Sequence, residues 1–397
     1  MSYESGFIYD TIVGGGSVSG LLAAREISSH GYSVLVLEED HEIGTPEHCG
    51  GVVSQKGLEN LGIIPRIKTI ENTVKKAIIK SKNKSFQINS ENQNVIVIDR
   101  RSFDKELAFQ AQLSGAEINT NCSITSVNYV DGFFNVMLRS GKVIKSKFFV
   151  ESRGVGHIIR QGFKEVIPSG QFEVYADWIQ KDTIEVEFDS DLYPGFFAWV
   201  IPTGEGRGKV GVAGKNINPN LILNKLLENK RTPYSIIRKI YAPLWVRGYI
   251  KPFNLGKTVI AGDAAGQTKP TTAGGIYSGG MGGILAGRSI SNFLNNGDEN
   301  DFSYIKNYQD SWLDLFGKEF DRLLLLRKLL EKLDNKSLDK IFSGISEITL
   351  DSISSNGDFD FHSIALKDFL NTKTTLNFLY TLMGNSYRKM INDLSKI

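Results

Sequence analysis

The segment "VGGGSVSG", residues 13–20, constrains the fold more tightly than any other stretch of this chain. It follows the apolar run "YDTIV", 9–13, and leads into "SGLLAAREISSHG", 19–31, which has helical composition and ends at Gly31, a C-cap residue. A second apolar run, "SVLVLEE", 33–39, comes next. Strand, glycine turn, helix and strand within ~30 residues form a parallel βαβ unit. Gly14 and Gly16 fill the first two places of G-x-G-x-x-G, and Ser19 takes the third. The first glycine allows a tight turn, and the second lets backbone approach a pyrophosphate at the helix N-terminus. The third place needs only a small residue for helix–strand packing. Glu38 closes the second strand, 22 residues after Gly16, where an acidic side chain bonds ribose hydroxyls. This reads as a dinucleotide site; the alternative is a tight packing turn.

The rest of the chain must be arranged around that unit. At 397 residues it is too long for one small core, so two or three domains are expected. With 41% hydrophobic and 23% charged residues it reads as globular, and 46 basic against 44 acidic residues give no reason to expect a nucleic-acid partner. Two cysteines, Cys49 and Cys122, cannot build a disulfide framework and fit a reducing, cytoplasmic interior. The N-terminus lacks the basic and apolar regions of a secretory signal, and the longest uncharged stretch, 270–287, carries seven glycines and falls short of a spanning helix.

A second glycine-bearing segment, "VIAGDAAGQTKPTTAGGIYSGGMGG", 259–283, begins as a strand ending at Gly262-Asp263. A carboxylate there accepts hydrogen bonds from polyol hydroxyls, and Gly274 and Gly275 open a helix N-terminus toward an oxyanion or polarisable ring. The alternative is again a packing turn. Between the two segments, "SFDKELAFQAQLSG", 102–115, reads as an amphipathic helix, and "TIEVEFDSDLYPGFFAWVIPTGEGRGKVGVA" reads as strands. Beyond about residue 300 the pattern turns helical, most clearly in "RLLLLRKLLEKL", 322–333, which fits equally a helix packed on the protein or one lying on a membrane surface. The loop "PEHCGGVV", 46–53, places a thiol and an imidazole beside paired glycines. His41, His48 and Cys49 lack tight metal-ligand spacing and Cys122 is remote, so no metal site is expected.

Together these features resemble FAD-dependent oxidoreductases of the p-hydroxybenzoate-hydroxylase-like fold, and more narrowly the geranylgeranyl reductase family. "EIGTPEHCGG", 42–51, is similar to that family's P-x-x-C-G loop. "DRRSFDKEL", 99–107, is similar to its R-x-x-F-D helix start, with Arg100 in the flavin-contacting place. "PGFFAWVIP", 194–202, with "GVA", 211–213, resembles its aromatic substrate motif through Phe196, Trp199, Pro202 and Gly211. "GDAAGQTKPTTAGGI", 262–276, resembles its second flavin segment. The chain departs from the pattern at Ser19, at Gly51 where many members carry Glu, at Arg153 where the fold often has Asp, at Ile201 and at Ala213. No motif aligns over 301–397.

The resemblance implies an α/β architecture: a Rossmann-like FAD-binding domain (1–66, 100–165 and 256–300), interrupted by a β-rich substrate domain (67–99 and 166–255), with a helical C-terminal region (301–397). It implies FAD held by Gly14, Gly16, Ser19, Glu38, Cys49, Gly50, Val52, Arg100, Gly262, Asp263, Gly274, Gly275 and Ile276. It also implies an isoprenoid lipid substrate held by Phe196, Trp199, Pro202 and Gly211, with reduction of its C=C bonds. Aromatic residues at 148, 149, 175 and 178 are weaker candidates for an apolar tunnel, ordinary sheet core being the better reading for them. Reducing an isolated alkene needs a proton as well as a hydride, and Cys49 and His48 are the titratable groups nearest the flavin by motif. Electrons would come from a ferredoxin or NAD(P)H, since no second dinucleotide fingerprint is present. A quinone side chain as substrate, flavin monooxygenase or halogenase chemistry on the same fold, and a prenyl-lipid carrier are the alternatives.

Overall fold

The computed structural model describes residues 7–296 and 302–363. The βαβ unit is present as strand Ile8–Gly14, helix Val18–Ser29 and strand Val34–Leu37. These strands pair in parallel with each other, and Ile8–Gly14 pairs in parallel with Val143–Glu151. Glu117–Asn119 and Thr258–Ile260 extend the parallel core at either side, and a hairpin, Ile124–Val130 and Phe133–Leu138, lies antiparallel on Val143–Glu151. All four residues of Val34–Leu37 are buried, as a parallel strand covered on both faces requires. Phe148 and Phe149 belong to this core.

A second sheet of seven strands runs in the order 235–244, 167–175, 207–213, 198–204, 183–187, 76–80, 85–89. Its pairs are antiparallel except Thr183–Glu187 with Lys76–Lys80. Alternation gives its central strands two different faces. Phe172, Val174, Val210 and Val212 point into an apolar core closed by Leu223 and Leu227 of helix Pro219–Asn229, with Trp178 packed beside them. On the other face, Gln171 pairs with Gly211, Gly211 with Trp199, and Glu173 with Lys209. A short three-stranded sheet, Val52–Ser54, Val95–Ile98 and Ile70–Val74, lies between the two large ones. Tyr175, at the strand end, is exposed.

The glycines after residue 276 serve packing. In helix Ile276–Asn296, a Cβ on Gly280 would press on Leu22 and Leu61, and one on Gly287 would press on the Ala23 carbonyl. Removing side chains there lets this helix lie directly against Val18–Ser29.

The 322–333 pattern belongs to a much longer helix, Ser303–Leu330. Tyr308, Trp312, Phe316 and Phe320 repeat every fourth residue along it and are all buried. Tyr308 Oη donates to the Ile260 carbonyl (2.8 Å), and Trp312 Nε1 to the Ser278 carbonyl (2.9 Å). The helix therefore clamps the 262–283 segment from behind. Leu323, Arg327 and Leu329 are buried, so this face packs on the protein. Helices Asn335–Ser343 and Glu347–Asn356 follow; residues 364–397 of the expected helical region lie outside the described residues. No helix among the described residues is long and apolar enough to cross a membrane.

Candidate functional site

At the end of strand Ile8–Gly14 the chain turns through Gly15, whose φ of +103° and contact with the Ser152 carbonyl (2.6 Å from a built Cβ) both demand glycine. The Gly16 N–H donates to Glu38 Oε2 at 2.6 Å, and a Cβ on Gly16 would stand 2.5 Å from Ile43 Cδ1. The turn thus presents bare backbone. Ser17, the N-cap of helix Val18–Ser29, makes no side-chain cap. Burial raises the Glu38 pKa, opposed by N–H donors from Asp40 and Gly16. Ser19 is tolerated in the third place because its surroundings are glycine: side chains at Gly262 or Gly283 would overlap Ser19 itself.

The second segment meets the first at Gly262 (φ +68°), whose N–H donates to Gln267 Oε1 at 2.7 Å. Asp263 opens toward solvent on one side and is crowded by protein on the others. That crowding raises its pKa, and the nearby Arg100 guanidinium opposes it. A Cβ on Gly275 would stand 2.7 Å from Thr268 Cγ2 and 3.3 Å from Asp263 Oδ1. Ile276 then begins the helix directly after Gly275, so Asp263 and Gly275 lie side by side at its start, with Gly274 against Lys269 and Thr272. Arg100 starts helix Arg100–Leu113 and grips Asp104 with two bonds, 3.0 and 2.8 Å. Burial works against its charge, but Asp104 and the nearby Cys49 outweigh it and keep the guanidinium charged.

Cys49 lies in a loop fixed from three directions. Its Sγ accepts the Gly51 N–H at 3.3 Å, and its carbonyl accepts Gln171 Nε2 at 3.4 Å. Gly51 (φ +81°) packs on the Ile98 carbonyl, and a Cβ on Gly50 would stand 2.6 Å from Ile201 Cδ1. Val52 then enters the short sheet opposite Val97. Gln171 Oε1 accepts Trp199 Nε1 at 3.1 Å, so the cysteine loop and the aromatic motif share one amide. The Pro202 carbonyl accepts Asn72 Nδ2 at 2.9 Å. Phe196 stacks on Phe197 (centroids 4.2 Å apart), and Phe197 meets Trp199 edge-on. His48 points outward, its pKa lowered by desolvation against the pull of Asp40. It makes no hydrogen bond with Cys49 among the described residues, so the loop holds no Cys–His pair. Among the described residues no cluster of His, Cys, Asp or Glu has the form of a metal site.

Several residues of this wall have no motif to announce them. Glu47, next to the cysteine loop, is buried and meets Lys209 Nζ at 2.6 Å and Arg238 Nη2 at 3.2 Å. Lys209 also reaches Glu71 at 3.3 Å, and Arg238 reaches Glu173 at 2.7 Å. Burial disfavours the Lys209 charge, but Glu47 and Glu71 outweigh it and the ammonium is held protonated. The one sequence signal is the "RGK" charge pattern, 207–209, inside an otherwise apolar strand.

No family model matches the chain. An uncharacterised protein of Methanocaldococcus jannaschii is 30% identical over 377 residues, spanning 89% of this chain and 92% of its own length. Digeranylgeranylglycerophospholipid reductase 2 of Methanopyrus kandleri is 28% identical over 364 residues, 84% of this chain and 89% of that protein. The crystal structure of a geranylgeranyl bacteriochlorophyll reductase-like protein from Thermoplasma acidophilum superposes with a TM-score of 0.83 at 22% identity, covering 98% of this chain and 99% of that one.

Proposed function

Because the chain belongs to the geranylgeranyl reductase family of FAD-dependent oxidoreductases, we propose that it saturates C=C bonds of geranylgeranyl chains carried by archaeal-type membrane lipid precursors. The residues present fit FAD. Gly14, Gly16, Ser19 and Glu38 offer the bare turn, uncapped helix start and ribose-facing carboxylate that a dinucleotide needs. Arg100, Gly262, Asp263, Gly274, Gly275 and Ile276 would bound the flavin end, with Cys49, Gly50 and Val52 along its ring. Reduced FAD supplies a hydride equivalent, itself replenished by a ferredoxin or NAD(P)H.

The chain's own residues do the rest. Trp199 and Phe197, both half-buried, would offer apolar surface to the isoprenoid, with the buried Phe196 stacked behind Phe197, each buried CH2 contributing about 0.8 kcal/mol. An isolated trisubstituted alkene accepts hydride poorly unless a proton reaches the other carbon. In this reading the Cys49 thiol, held in its loop beside the aromatic motif, gives up that proton. The thiolate would recover its proton from solvent, Cys49 being only half-buried, and His48, exposed and not bonded to Cys49, is given no part in this step. The observation that carries this reading is the Cys49–Gln171–Trp199 connection, which holds the one thiol of the loop beside the aromatic substrate motif. The test is to reduce the bound flavin chemically under nitrogen and offer a digeranylgeranyl glycerophospholipid, an isoprenoid quinone and a free prenyl diphosphate in separate runs. Mass gains of two hydrogens per bond in the phospholipid support the proposal; gains only in the quinone reassign the substrate.

A further inference from the structure

Between the second sheet and the C-terminal helices lies a narrow cleft lined by Phe188, Phe196, Phe197, Thr271, Arg327 and Leu330, with about 20 Å³ of enclosed space opening to solvent. Arg327 is 1% exposed, and its Nη2 has no hydrogen-bond partner among the described residues. Its Nε donates to Glu331 Oε1 at 2.9 Å, and its guanidinium lies over the Phe196 ring, 4.9 Å from the centroid.

The charge around it does not balance. Glu331 is the shared partner of Arg327, of Lys215 (2.7 Å) and of Arg247 (3.1 Å). Three cations on one carboxylate leave two positive charges over. Asp189, on the cleft wall, is already engaged by Asn335 Nδ2 and two backbone N–H groups, and it reduces the excess to one. Glu165, 4.0 Å from Arg247, is mostly exposed and screened. Arg247 Nε also lacks a hydrogen-bond partner among the described residues. Burial lowers the Arg327 pKa, so the arrangement works against folding. A guanidinium with a free N–H edge over an aromatic face is suited to a phosphate oxyanion.

Phe196 ties this spot to the aromatic motif. One face of its ring carries the Arg327 guanidinium, and its stacked neighbour Phe197 leads to Trp199. Thr271, also lining the cleft, belongs to the 259–283 segment that carries Asp263 and Gly275. A ligand reaching from Asp263 along Trp199 and Phe197 would therefore arrive at Arg327 with its far end.

We propose that this cleft binds the phosphate end of the isoprenoid substrate, with Arg327 Nη2 as the donor and Lys215 and Arg247 supplying the surrounding positive charge. The inference rests on the isoprenoid reading for the apolar part of the ligand; the anion site stands on Arg327 and its neighbours alone. It also gives the helical region, which has no aligned motif, a part in choosing the substrate.

The test compares binding of geranylgeranyl diphosphate, geranylgeraniol and inorganic diphosphate to the holoenzyme by calorimetry, in the native protein and in Arg327→Gln and Arg327→Lys. The native protein is expected to bind the phosphorylated lipid about ten- to a hundredfold more tightly than the alcohol, as for a charge-assisted hydrogen bond. Arg327→Gln is expected to bring the ratio close to one, and Arg327→Lys to keep part of it. Equal affinity of the native protein for diphosphate lipid and alcohol overturns the inference without any variant, and so does an unchanged ratio in Arg327→Gln. Inorganic diphosphate binding as tightly as the lipid would make this a site for a free anion and overturn the headgroup assignment. If the ratio behaves as expected but no prenyl compound is reduced, the reductase reading fails and the anion site stands. Reduction without any phosphate preference is the reverse case.

Discussion

The Trp199 indole lies across Gly211, its register partner on the neighbouring strand, so closely that a Cβ on Gly211 would stand 2.1 Å from a ring carbon. The tryptophan and glycine of the aromatic motif are thus one device: the missing side chain makes the bed on which the indole lies, and Gln171 fixes its edge.

Replacing Gly211 with Ala must push the indole off that bed. Overpacking of this kind costs about 1–3 kcal/mol of stability. Turnover on the isoprenoid lipid should fall while the flavin-to-protein ratio is kept, because Gly211 lies on the sheet and not at the dinucleotide turn. Absorbance of the purified variant and its denaturation midpoint check both halves; loss of flavin with turnover per flavin intact would contradict the placement.

Cys49→Ala should leave FAD binding intact and lower turnover by about 10²- to 10⁴-fold, the usual range for removing a positioned proton donor. Turnover of the flavin-loaded variant under nitrogen decides it. An unchanged rate would leave the thiol a pocket-shaping group only.

Gly16→Ala places a methyl 2.5 Å from Ile43 Cδ1 and against the Glu38 carboxylate. FAD affinity should drop roughly tenfold or more, because the methyl closes the bare backbone that the pyrophosphate would approach. Equilibrium titration of the apoprotein with FAD measures this directly.

The glycine turn of the βαβ unit and the strand-to-helix run at 259–283 were legible because each depends on residues close together in sequence, whereas the place of the cysteine loop came only from the family resemblance. The 102–115 helix was legible within two residues, observed at Arg100–Leu113. Lys209 and Glu47 meet across 162 positions, and only the fold brings a strand lysine over that loop. Ser19 looked like a weak third position; its fit depends on Gly262 and Gly283, which no local pattern ties to it. Arg327 falls on the polar stripe of an amphipathic helix, yet Glu331 and Phe196 draw it inside.

Lys209→Met leaves the buried Glu47 carboxylate short of its main partner, and unfolding free energy should fall by about 3–5 kcal/mol. The double variant Glu47→Gln with Lys209→Met should recover much of the loss. Denaturation of the two single variants and the double gives the coupling; simple additivity would mean the pair is not energetically linked.

Glu151 carries a pH signature. Burial works to raise its pKa, but hydrogen bonds from Arg153 and His157 prevail and bring it to about 2 from an ordinary 4.5. A pKa depressed in the folded state means the stabilisation is present above the unfolded value and is lost as pH falls from 4.5 toward 2. The shift corresponds to about 3 kcal/mol. Stability measured over that window should fall more steeply in the native protein than in Glu151→Gln. Parallel curves would remove Glu151 from the acid response.

The most direct measurement is a single turnover: the bound flavin is reduced chemically under nitrogen, mixed with a digeranylgeranyl glycerophospholipid, and followed by absorbance. Flavin reoxidation in step with the lipid, with one C=C bond saturated per flavin, is the expected result. A flavin that stays reduced with the lipid but reoxidises rapidly with O2, giving an oxygenated or halogenated product, would contradict it.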